Sequence, residues 1–185
     1  MIIASFTPFP VLKTKHLILR KPDLNDSEEI FAIRSDKTVN AFLDRPSDIS
    51  MNDVHQFINR ILDNISNNKS IYWIIETKKE KRIAGTACLW NISETSDVAE
   101  TGYELHPDFF GKGIMQEALS EVLRFGFEKM HLEKILAFTH SDNVRSIRLL
   151  EKHAFMKDAD EENDSDLSNE PADTVIYSLS KKKFK

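Results

Sequence analysis

One cysteine, Cys88, stands in the whole chain, so no intramolecular disulfide can form and no thiol cluster exists to hold zinc. It lies between Ala87 and Leu89 on an apolar run with no base nearby, which predicts a buried thiol rather than a nucleophile. The six histidines show no paired ligand spacing, and no metal is expected. No stretch approaches the roughly 18 uninterrupted apolar residues that a membrane helix needs. The apolar opening from Met1 to Phe6 lacks a basic start and is cut by Pro8 and Pro10, so it is not read as a secretory signal. A cytoplasmic protein without a membrane partner is the expectation. Basic residues are outnumbered, 25 Lys and Arg against 30 Asp and Glu, for a net charge of −5, and a chain without a basic excess is not expected to bind nucleic acid. Glycine and proline are scarce, at 5 and 6, so each one punctuates the chain.

What is present is the mixture of a globular protein: 41% hydrophobic residues with 12 Phe, against 30% charged. At 185 residues, one domain over 1–185 is expected, as a monomer or homodimer. His16 to Lys21 alternates like a half-buried strand. A helix follows, with Asn25 or Asp26 and Glu28 or Glu29 as a capping pattern ahead of Ile30, Phe31 and Ile33. Ser50 and Asp53 make a second capping pair before Val54, Phe57, Ile58, Ile61, Leu62 and Ile65, which recur at helical spacing. Ile71 to Thr77, Arg82 to Trp90 and Val98 to Leu105 read as an antiparallel meander. Met115 to Met130 reads as a helix and Lys134 to Thr139 as a strand, which implies a right-handed parallel crossover. A helix from Val144 to His153, capped by Asp142 or Asn143, and a strand from Thr174 to Ser180 complete a mixed α/β order. Eight acidic residues and no basic one lie between Asp158 and Asp173; with their eight charges set aside, the chain's −5 becomes +3. Residues 158–173 read as a flexible, solvated loop, and a sharper expectation is that they attract cationic acceptors.

The segment that carries chemistry runs from Glu100 to Ala118. A strand ends near Leu105, Pro107 removes a backbone donor, and Gly111 with Gly113 lets the chain turn tightly into the next helix. Amides in such a turn converge on one point, reinforced by the helix dipole, and suit a phosphate or pyrophosphate. A P-loop reading fails because Ile114 and Met115 follow Gly113, and a dinucleotide fingerprint fails because Gln116 stands where glycine is needed. An ordinary strand-to-helix turn remains the plain alternative.

Taken with a second motif, the turn resembles a known family. Gly102-Tyr103-Glu104-Leu105-His106-Pro107, then Phe109-Phe110-Gly111-Lys112-Gly113, then Asn143, Ser146 and Leu149-Leu150-Glu151-Lys152-His153-Ala154-Phe155 are similar to the GNAT acyl-CoA core in its RimJ/RimL-like form. The resemblance runs from the strand Leu17 to Arg20 through Val175 to Leu179. It implies a mostly antiparallel central sheet, splayed at two parallel strands and flanked by helices, that uses acetyl-CoA as co-substrate. It also implies that amides from Phe110 through Gly111, Lys112, Gly113 and Ile114 to Met115 hold the pyrophosphate. Main-chain groups of Leu105 and His106 would then grip the acetyl carbonyl, and Asn143 would contact the cofactor. Relatives carry a tyrosine where Leu150 stands, so Ser146 is the residue offered to the departing sulfur. Asp108 replaces the usual Arg or Gln, and Ala154 the usual Gly.

The implied reaction is direct attack by an amine on the thioester in a ternary complex. An α-amino group of pKa about 8 loses its proton more easily than a lysine at about 10.4, so a modest base is enough. Glu104 and Glu100 share one face of a strand, and Glu104, nearer the turn, is the preferred base; the plain alternative is an ion-pair partner. The expected acceptor is a protein N-terminus such as that of a ribosomal protein. A polyamine, an amino-acid-like metabolite or an antibiotic amine stays open, as does a silent acetyl-CoA-binding module. The acceptor groove is expected around Arg34 to Asp53 and the acidic loop.

Overall fold

Alternating strands and amphipathic helices assemble into one eight-stranded sheet with helices on both faces. The structure is a computed structural model that describes residues 5–43, 45–46, 48–93, 97–164 and 173–184. Its strands are β1 (Leu12–Lys13), β2 (Leu17–Arg20), β3 (Ile71–Thr77), β4 (Ile83–Ser93), β5 (Val98–Leu105), β6 (Lys134–His140), β7 (Met156–Lys157) and β8 (Thr174–Ser180). The helices are α1 (Ser27–Ser35), α2 (Met51–Ser66), α3 (Ile114–Arg124), α4 (Val144–Lys152) and α5 (Ala159–Asp164). Strand order is β1-β2-β3-β4-β5-β6-β8-β7. All neighbours are antiparallel except β5 and β6, the pair joined by the α3 crossover.

Side-chain parity along the strands divides the packing between two faces. Trp73, Ala87, Leu89 and Ala99 point to one side, where they meet Ala118, Leu119, Val122 and Phe127 in the larger core. Ile74 points to the other, where it packs with Ile30 of α1 and with Val54 and Ile58 of α2. Helix α2 starts where the sequence placed it: the Ser50 hydroxyl accepts from the Asp53 amide at 3.2 Å, and the Asp53 carboxylate accepts from the Ser50 amide at 2.7 Å. Such a box satisfies two backbone donors at the start of the helix.

Three expectations change. Asp26 stands at the N-cap of α1 as read but makes no side-chain cap bond to it; its carboxylate binds Arg20 at 2.7 Å, and the capping box forms one turn earlier, where Asp23 opens a 3-10 turn at Leu24–Asp26. Helix α3 is shorter than Met115 to Met130; it gives way to a π turn over Phe125–Lys129, where a methyl on Gly126 would meet Ile135 at 3.0 Å. The acidic stretch is not all loop. Ala159–Asp164 forms α5, with Glu161 on Lys134 Nζ at 2.5 Å and Glu162 accepting the Ile176 amide at 3.0 Å. Residues 165–172 lie outside those described.

Candidate active site

The parallel pair β5 and β6 is bonded only along Val98 to Glu100 and Lys134 to Leu136. Beyond Glu100, β5 continues to Leu105 against β4, while β6 continues to His140 against β8. A gap therefore opens in the middle of the sheet, widening toward Leu105. The His106 amide donates to Ala84 O at 2.7 Å. Because the main-chain groups of successive residues in an antiparallel strand face opposite neighbours, those of Glu104 and His106 turn toward β4, and those of Tyr103 and Leu105 turn into the gap. Leu105 thus faces the gap with its main chain, whereas the His106 main chain is committed to pairing; the His106 ring Nδ1 accepts the Asp108 amide at 3.2 Å.

The glycine turn closes the same end. Pro107–Phe109 forms a 3-10 turn, then Gly111 (φ 72°) and Gly113 (φ 75°) adopt left-handed conformations that other residues reach only at a cost. Of the six amides proposed to hold a pyrophosphate, two are used internally: Phe110 N–H donates to Pro107 O at 3.0 Å and Lys112 N–H to Phe109 O at 3.4 Å. Those of Gly111, Gly113, Ile114 and Met115 find no acceptor among the described residues. Open space surrounds the missing Cβ of both glycines. Four free amides, a helix N-terminus and that open space fit a diphosphate. The Lys112 ammonium lies 5.5 Å from the Phe109 ring centre and the Arg145 guanidinium 4.7 Å from that of Phe110, so both cations stand beside the turn. Asp108, which replaces the usual Arg or Gln, pairs with Arg82 at 2.8 Å.

On the α4 side of the gap, the Tyr103 phenol lies 2.8 Å from Ser146 Oγ. Burial pushes that phenol up to about 12, with the Ser146 bond pulling the other way. Asn143 caps α4, its side chain accepting the Ser146 amide at 3.2 Å. Leu150 is fully buried in the core.

On the opposite face, Glu104 is an ion-pair partner. Arg45 Nη1 binds Glu104 Oε1, and Arg34 Nη1 lies 3.8 Å from the same oxygen. Arg45 is itself steadied by Asn40 Oδ1 at 2.7 Å, and Arg34 lies over the Phe57 ring at 3.7 Å. Burial lowers the Arg34 guanidinium below its ordinary range, and Glu104 works against that. Two buried atoms of this cluster, Glu104 Oε2 and Arg45 Nη2, have no hydrogen-bond partner among the described residues. Glu100 shares the face but not the opening: it sits where β5 and β6 still pair, is 8% exposed, and accepts from Asn91 Nδ2 at 2.6 Å. Sequence reasoning missed Arg45, Tyr103 and Arg145, because only the folded sheet brings them to residues dozens of positions away.

Known proteins resemble the chain in sequence and in fold. A family model described as an acetyltransferase (GNAT) domain matches residues 16–156. YoaA of Bacillus subtilis (strain 168), an uncharacterised N-acetyltransferase, is 31% identical over 173 residues, covering 94% of this chain and 98% of its own. Among solved structures, RimL, a ribosomal alpha-N-protein acetyltransferase in complex with coenzyme A, superposes with a TM-score of 0.80 at 15% identity, over 92% of this chain and 98% of that one. MccE, a microcin self-immunity acetyltransferase in complex with acetyl-CoA and AMP, gives 0.74 at 22% identity, over 90% and 93%. At such identities the two structures speak for the fold alone.

Proposed function

The chain belongs to the acetyltransferase (GNAT) family, and on that premise we propose that it moves the acetyl group of acetyl-CoA onto an α-amino group, that of a protein or peptide N-terminus, with both substrates bound at once. One observation carries the reading: the gap after Glu100, with Leu105 main-chain groups turned into it and four unpaired amides at its mouth. Acetyl-CoA, when bound, supplies an activated acetyl thioester. The amides of Gly111, Gly113, Ile114 and Met115 bind its pyrophosphate, with Lys112 and Arg145 adding positive charge. Leu105 offers a main-chain donor for the acetyl oxygen. Ser146, backed by the Tyr103 phenol, holds the proton needed by the leaving sulfur, since Leu150 has no group to give. Asn143 keeps its Nδ2 available to the cofactor while its oxygen caps α4.

Glu104 acts as an orienting acceptor rather than a strong base. Both guanidiniums reach Glu104 Oε1 while Oε2 has no partner among the described residues, and an α-amine of pKa about 8 is already partly neutral near pH 7. Oε2 then only has to receive an N–H bond and steer the lone pair. Glu100, bound by Asn91 at the closed end of the gap, holds β5 in place. The arginines around Glu104 support an α-amino acceptor, because they disfavour a polyamine. Intact-mass analysis of peptides incubated with enzyme and acetyl-CoA tests this. One acetyl group is expected on a free N-terminus and none on an N-blocked peptide with a free lysine; transfer to lysine or spermidine alone would reject it.

A further inference from the structure

A cavity of about 400 Å³ opens where α1 meets the start of α2, lined by Arg34, Ile49, Asp53, Val54, Phe57 and Arg60. That volume lies within the range of small-ligand sites. Its lining is net positive, with Arg34 and Arg60 against Asp53. The Asp53 carboxylate is held at the helix cap, 2.6 Å from Ser50 Oγ. Arg34 shares Glu104 with Arg45, so two guanidiniums divide one carboxylate. The Arg60 guanidinium lies 5.7 Å from the Phe57 ring centre, and among the described residues it meets no carboxylate within ion-pair distance. Two guanidiniums over one aromatic ring, with too few anions to balance them, form a receptor for an oxyanion.

Arg34 ties this cavity to the chemistry, because it reaches from the lining to within 3.8 Å of Glu104, on the strand whose end borders the gap. We propose that the cavity holds a carboxylate or phosphate group of the acceptor, so that the enzyme selects amines that carry an acidic group near the amine to be acetylated. The proposal rests on the acetyltransferase reading and specifies its acceptor class. An anion at Arg34 and Arg60 leaves the rest of the acceptor leading toward Glu104, where Oε2 receives the amine and Arg45 Nη2 donates to a carbonyl or carboxylate oxygen beside it. Burial already strains the Arg34 charge, and a bound anion relieves that cost. A polyamine brings only further positive charge to this wall and is repelled. The oxyanion has two possible sources: an acidic side chain following a protein N-terminus, or a small amino-acid-like or aminoalkyl phosphate metabolite.

The test compares thiol release with peptides bearing Glu, Gln or Lys after the first residue, with free glutamate, with an aminoalkyl phosphate and with spermidine. Acidic acceptors are expected to exceed neutral ones in kcat/KM by about tenfold, the ratio equivalent to about 1.4 kcal/mol, and spermidine to be poorest. A preference for the acidic peptide or for the small molecules identifies the source. Arg60 is exposed, so Arg60→Glu should fold normally, raise KM for acidic acceptors about tenfold with little change in kcat, and favour the Lys peptide. Equal kcat/KM across the charge series, or an Arg60→Glu variant with unaltered KM, overturns the proposal. Calorimetry of Glu and Gln peptides against the CoA-loaded protein needs no turnover. If no amine is acetylated, the function reading fails, while a Glu-peptide affinity that exceeds the Gln-peptide affinity and falls in Arg60→Glu still supports the anion site; equal affinities overturn it.

Discussion

Glu104 is shared by Arg45 and Arg34 at a site where all three side chains are less than one-fifth exposed, so its removal has a double signature. Glu104→Gln leaves two guanidiniums without their counter-charge and should lower unfolding free energy by about 1–3 kcal/mol. It should also cut kcat/KM by about tenfold or more while leaving coenzyme A affinity unchanged, since the turn is untouched. Titrations by kinetics, denaturant and calorimetry separate the three effects. Cys88 and Tyr103 make a second prediction at this scale. Burial pushes the Cys88 thiol from its usual 9 up to about 12, and the Tyr103 phenol from 10 up to about 12. Both groups lose a proton to become charged, so the unfolded chain ionises first and folding is penalised only above those usual values. Stability should be indifferent to them below pH 9, then fall by about 1.4 kcal/mol per pH unit for each ionising group until about pH 12. Urea denaturation at about pH 8 and about pH 10.5 reads the loss, and Cys88→Ala should remove the part that begins near pH 9.

Elements were legible where periodicity and burial coincide. Ile71–Thr77, Val98–Leu105 and Thr174–Ser180 have the bounds that alternation in the sequence marks, and Ser50 with Asp53 caps α2 as read. Helix α5 was not legible, because its sequence, Ala-Asp-Glu-Glu-Asn-Asp, presents no apolar face; ion pairs with Lys134 and a main-chain donor from β8 hold it. The π turn was hidden too, since its cause is the close approach of Gly126 to Ile135 and Leu132 in three dimensions. Of the site, the glycine turn could be read from local spacing, while the Arg34, Arg45 and Glu104 cluster joins distant segments and could not. The turn carries its own prediction. Gly113→Ala forces a left-handed alanine, at about 1–2 kcal/mol, and places a methyl group in the open space beside the unpaired amides. The dissociation constant for coenzyme A should rise about tenfold, more than the loss in melting temperature explains, as calorimetry on the folded variant will show. An unchanged constant would mean the pyrophosphate lies elsewhere.

At the scale of the whole molecule, charge is sorted by place. The described carboxylates Glu161 and Glu162 face Lys134 and Lys157 at 2.5 and 3.7 Å, beside β8 and β7, whereas the acceptor cavity lies with α1 and α2 on the guanidinium side of Glu104. Part of the acidic stretch is therefore neutralised by its own sheet, which weakens the expectation that it draws in cations. Among the described residues no helix is long and apolar enough to cross a membrane. The position of β5 matters most here. Consecutive residues of that one strand, Tyr103 and Glu104, address opposite faces of the sheet, one toward Ser146 and the other toward Arg34 and Arg45. On the proposed reading, traffic through the enzyme is two-sided: each ligand has its own doorway, and occupying one does not bar the other. Initial-rate plots should show intersecting rather than parallel lines, and a desulfo analogue of coenzyme A should compete with acetyl-CoA alone, never with the amine.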